Sequence, residues 1–177
     1  MRRYVITGGP GAGKSTLIGA LGTAGFATVR ESGRDIIRTE MERGGTALPW
    51  TDTEAFARAM AAQDKAAWSE HIGEGIIFHD RGLPDVVGYR QLSGLCDDPV
   101  LDMDCRMLRY GDPVFIAPPW ADIYHTDAER RQDFAEAERT FEMMRVTYTR
   151  FGYRLIELPR TSVADRMAFL LREINVA

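Results

Sequence analysis

Short apolar runs alternate along the chain with longer stretches whose apolar residues recur every three or four positions. That alternation predicts a parallel β-sheet covered by helices. The strand-like runs are 4–7, 27–31, 75–79, 114–117 and 153–158. Helical spacing predicts helices over 14–23, 34–43, 53–72, 84–92, 131–151 and 161–174. Their inward stripes include Leu17, Ile18 and Leu21 in the first, and Phe134, Phe141, Met144, Tyr148 and Phe151 in the fifth. Met167, Leu170, Leu171 and Ile174 line the last, which Thr161 or Ser162 would cap. Segments 44–50 and 118–127 break the rhythm, each carrying a Trp beside Pro or Gly. Each reads either as a rigid turn holding a half-buried aromatic or as a loop that covers a ligand.

Composition narrows this picture without redirecting it. With 177 residues, 45% apolar and 27% charged, the chain is expected to form one domain, 1–177, with a core that needs no metal or disulfide staple. A formal charge of -4 would repel a polyanion, so nucleic acid is not the expected partner. No stretch reaches the roughly 18 apolar residues of a membrane span. Cys96 and Cys105 form no CxxC pair, and His71, His79 and His125 have no metal-ligand spacing, so the cysteines read as packing residues in a reducing cytoplasm. Of the 22 basic residues only Lys14 and Lys65 are lysine. A lysine inside a motif therefore stands out.

Lys14 lies in such a motif. Gly8-Gly9-Pro10-Gly11-Ala12-Gly13-Lys14-Ser15 matches G-x-x-x-x-G-K-[ST], between a predicted strand and a predicted helix. There, backbone amides of Gly8, Gly9, Gly11, Ala12, Gly13, Lys14, Ser15 and Thr16, with the positive end of the helix dipole, would converge on a phosphate. Lys14 would reach the β and γ phosphates and Ser15 would hold Mg2+. Asp80, at the end of the third strand, is the candidate second Mg2+ ligand, with a helix cap as its alternative role. Arg81 follows, placed either to grip a phosphate or carboxylate bidentately or to form a surface ion pair. After the second strand, Glu31 could accept a hydroxyl proton or cap a helix, and Arg34 would hold the acceptor. Arg130 and Arg131 begin a charged run after the fourth strand, where arginines could neutralise charge on a transferred phosphoryl group.

The runs GGPGAGKST, ESGRDIIR, FHDRGLPDVVGY, FIAPPW and DAERRQDF together resemble a family of bacterial AAA-type predicted ATPases or kinases. That family is related to the nicotinamide riboside kinase domain and, more distantly, to thymidylate and deoxynucleoside kinases. The resemblance implies a P-loop NTPase three-layer sandwich with strand order 2-3-1-4-5, and ATP or GTP with Mg2+ as ligand. It also implies a lid-like segment at about 118–133 that brings Arg130 and Arg131 to the site, and an Asp80-Arg81 pair equivalent to that of nucleotide kinases. The expected activity is phosphoryl transfer from MgATP to a small, nucleoside-like acceptor. The alternative is a nucleotide-dependent regulatory ATPase with weak hydrolysis.

Overall fold

A computed structural model describes residues 1–70, 74–123 and 134–176. β1 (Arg2–Gly8) leads through a glycine loop into α1 (Lys14–Thr23), and β2 (Ala27–Val29) into α2 (Ser32–Arg43) and α3 (Thr53–Glu70). β3 (Ile76–Asp80) is followed by α4 (Leu83–Leu92) and α5 (Pro99–Met107). β4 (Val114–Ala117) precedes a single 3-10 turn, Ala121–Ile123, and α6 (Phe134–Arg150). β5 (Leu155–Glu157) and α7 (Val163–Glu173) complete the order. All pairings are parallel, and the sheet runs β2-β3-β1-β4-β5, the order the resemblance implied.

Side-chain alternation along the strands builds two cores. Tyr4 and Ile6 of β1 face α1 and α7 with Leu17, Leu21, Phe78, Phe115 and Leu170. Val5, one position out of phase, faces the other side with Phe56, Val86, Val87, Met144 and Tyr148. The helices therefore cover both faces, and the C-terminal strand ends, with the glycine loop after the central β1, remain open at one end of the sheet.

α5 was not expected from spacing. Asp98 caps the helix by accepting from the amides of Val100 and Leu101, and Pro99 occupies its first turn. Only Leu101 and Cys105 of this helix are buried, too few to show a periodic stripe. The ends of other elements shift by a few residues. β2 stops at Val29, and Glu31 stands at the N-cap position of α2. α7 starts at Val163, where the Ser162 hydroxyl accepts from the Asp165 amide.

Candidate active site

Parallel pairing brings the chemistry together. Ile6 of β1 sits opposite Asp80 of β3, and Val29 of β2 opposite His79, so three strands end nearly level. The glycine loop, Glu31 and the Asp80-Arg81 pair all lie just beyond those ends. Positive φ at Gly8, Gly11 and Gly13 bends the loop into a cup. The second glycine has a different reason. Gly9 would place a Cβ 2.3 Å from the Ala137 carbonyl of α6, so that helix can dock on the loop only over a bare backbone.

Lys14 is 5% exposed and folds back across the loop, its Nζ donating to the Gly9 carbonyl at 2.6 Å. Burial, reinforced by the Arg81 charge, lowers its pKa to about 8. Ser15 Oγ donates to Asp80 Oδ2 at 2.8 Å. The other oxygen of Asp80 is buried with no hydrogen-bond partner among the described residues. Burial, then repulsion from Glu31, raises the Asp80 pKa despite Lys14 and Arg81. An orphaned carboxylate oxygen beside a hydroxyl is a hard-oxygen donor set that fits Mg2+. Among the described residues no three His, Cys, Asp or Glu side chains cluster as a metal site, so a cation here would depend on ligand phosphates and water, as Mg2+ usually does. The alternative cap role for Asp80 is not seen, because its carboxylate faces Ser15.

Arg81 is the hinge of the remaining charges. Its backbone adopts φ 73°, a left-handed conformation that a long side chain seldom takes. The guanidinium donates from Nε to Glu31 at 2.9 Å and from Nη1 to Asp85 at 2.9 Å. Burial opposes its charge, but Glu31, Asp85 and Asp80 more than compensate and raise its pKa. For Glu31 burial pushes upward, and Arg81 and Lys14 overcome it, so its pKa falls below the usual carboxylate value. Arg34 approaches the other Glu31 oxygen at 3.5 Å. Glu31 makes no side-chain cap bond to α2, so its carboxylate is turned toward the arginines.

Two groups escaped the sequence reading. Asp85 accepts from Thr7 Oγ1 at 2.6 Å, Tyr148 Oη at 2.6 Å, the Gly82 amide at 3.0 Å and Arg81. It thereby locks Arg81 to β1 and α6. Its place four residues after Arg81, in D-R-x-x-x-D, was the available signal. Asp64 of α3, 9% exposed, accepts a hydrogen bond from Ser32 and lies within electrostatic reach of Asp85, Glu31 and Arg81. Burial raises its pKa to about 7. Arg130 and Arg131 lie outside the described residues. Thr16 is exposed at the start of α1. Trp50 is 64% exposed. Trp120 lines a concavity of about 710 Å³ with Pro119, Phe134, Phe141 and Arg160. That concavity is bounded by β4's exit and α6 rather than by Lys14 and Asp80. Among the described residues no helix is long and apolar enough to cross a membrane.

A phosphate-loop cup with a Ser-Asp pair, on a 2-3-1-4-5 parallel sheet, defines the P-loop NTPase class. The AAA domain family model matches residues 3–166, and the chain belongs to that family. No curated protein matches it in sequence. Among solved structures the chain is similar to NadR protein in complex with NR, at 17% identity and a TM-score of 0.76, over 99% of this chain and 51% of that one. It is also similar to thymidylate kinase from Ehrlichia chaffeensis, with 15% identity, a TM-score of 0.67 and 98% of both chains covered. Deoxyadenosine kinase from M. mycoides, bound to dATP, shares 13% identity over 98% of this chain and 99% of that one, with a TM-score of 0.64. These likenesses establish the fold of a P-loop kinase.

Proposed function

We propose that the chain is a small kinase that transfers the γ-phosphoryl group of MgATP to a hydroxyl or phosphate of a small, nucleoside-like metabolite. The observation carrying this reading is the Ser15–Asp80 hydrogen bond at the mouth of the cup, with Arg81 and Glu31 level with it on neighbouring strand ends. The amides from Gly8 to Thr16 hold the polyphosphate tail, with GTP as an alternative donor. Lys14 exchanges its bond to Gly9 for the β and γ phosphates. Mg2+, held by Ser15 and Asp80, would neutralise charge on the phosphates.

Arg81 and Arg34 orient the acceptor, and Glu31 accepts the hydrogen bond of its attacking hydroxyl. A lowered pKa suits Glu31 to orientation more than to strong proton abstraction, which a loose phosphoryl-transfer transition state does not demand. Arg130 and Arg131, in a lid at about 118–133 within one domain, 1–177, would meet the transferred group. Most of the rate enhancement comes from positioning and fixed charge. We place this activity in the cytoplasm on the family likeness.

The second reading, a regulatory ATPase, is favoured by one observation: both Glu31 oxygens already face arginines, leaving no free base. A panel of small hydroxyl metabolites with MgATP separates the two. A kinase forms ADP and a phosphorylated product above the acceptor-free background. A regulatory ATPase releases phosphate at one slow rate whatever is added. Lys14→Ala should abolish turnover while circular dichroism stays unchanged; undiminished turnover would refute the site.

A further inference from the structure

Arg166 lies in the first turn of α7 and is 2% exposed. Its Nη1 donates to the Ala12 carbonyl of the glycine loop at 3.0 Å, across 154 positions of sequence. A Cβ on Gly13 would come within 2.8 Å of that same nitrogen. Its Nε is buried with no hydrogen-bond partner among the described residues. Among the described residues no carboxylate pairs with it, and burial alone lowers its pKa. A cation at a helix N-terminus also opposes the helix dipole. A buried charge with no counter-charge is costly, and an apolar side chain of similar length would fill the space without that cost. Packing therefore does not account for an arginine here.

Peptide geometry supplies an account. The Ala12–Gly13 bond is trans and planar, so the Gly13 N–H points away from the carbonyl that Arg166 grips. Among the described residues the amides of Gly11, Ala12 and Gly13 have no hydrogen-bond partner. A guanidinium on the carbonyl end of a peptide polarises it and strengthens its N–H as a donor. We propose that Arg166 is a positioning residue for the phosphate loop: it fixes and polarises the Ala12–Gly13 peptide so that the Gly13 N–H faces a polyphosphate, whose negative charge offsets the buried guanidinium. This rests on the nucleotide-binding reading above and adds a role for α7 within it.

The test uses the full chain with two probes, MgATP and inorganic tripolyphosphate. Arg166→Met should bind both roughly tenfold or more weakly, the loss expected when a charge-assisted hydrogen bond is removed. Arg166→Lys, which keeps charge and donor, should recover most of the affinity. The Gly13 amide proton should move upfield in ligand-free Arg166→Met, a change that a packing defect elsewhere in α7 would not produce. Should the methionine variant fail to fold, Arg166→Gln keeps the donor without the charge and should still bind more weakly. Wild-type affinity in a folded neutral variant, or an unmoved Gly13 resonance, overturns the assignment alone. A wild-type protein that binds neither probe overturns the nucleotide reading together with it.

Discussion

Replacing Asp64 with Asn tests the electrostatics of the site without reference to any ligand. Asp64 is 9% exposed, continues the face of α3 that carries Phe56 and Met60, and accepts a hydrogen bond from the Ser32 hydroxyl. Its pKa rises from an ordinary 3.8 to about 7, with burial the largest cause and Asp85 and Glu31 adding repulsion. The folded protein therefore keeps a proton that the unfolded chain gives up at lower pH. Stability falls as pH rises from about 4 to about 7, and the whole cost is present above that window. Moving the carboxyl that far corresponds to a ceiling of roughly 4 kcal/mol, at about 1.4 kcal/mol per tenfold change in proton affinity. Asparagine keeps the shape and carries no charge. Urea unfolding followed by tryptophan fluorescence at pH 4, 5.5, 7 and 8.5 should show the variant gaining on wild type steadily, from near zero to roughly 2–4 kcal/mol. A difference that is the same at every pH, or a wild type that gains on the variant as pH rises, would refute the reasoning.

Arg81→Met leaves Glu31 and Asp85 without the cation between them and should cost roughly 3 kcal/mol in urea unfolding at pH 7. Gly9→Ala, whose Cβ would strike the Ala137 carbonyl, should cost roughly 1–3 kcal/mol by forcing α6 off the loop. Gly19→Ala is the opposite case. Gly19 is exposed inside α1 with nothing within 4 Å of an added Cβ, so thermal unfolding should show a gain of roughly 0.5–1 kcal/mol.

The phosphate cup was legible because its signal is contiguous, a strand, a glycine run, a lysine and a helix in one stretch, whereas the sheet order came from the family resemblance. Asp80 was legible for a related reason, since an acid at the end of an apolar strand has few places to go. Asp85 and Arg166 were not. The spacing to Arg81 hints at Asp85, but the partners that fix the two residues stand 78 and 154 positions away, at Thr7 and Ala12, beyond the reach of local pattern. Glu31 was found, yet its commitment to Arg81 depends on β2 and β3 being neighbours and on the left-handed backbone at Arg81. Asp64 looked like one more polar residue in an amphipathic helix. Only the packing of α3 against the start of α2 removes it from water.

The two lysines differ sharply in accessibility. Lys65 is 41% exposed beside Asp104, whereas Lys14 is sealed against the Gly9 carbonyl. An amine-directed acylating reagent would therefore mark Lys65 early and spare Lys14 until the cup opens. The ratio of the two adducts in a tryptic digest becomes an internal clock for loop opening, with no engineered label.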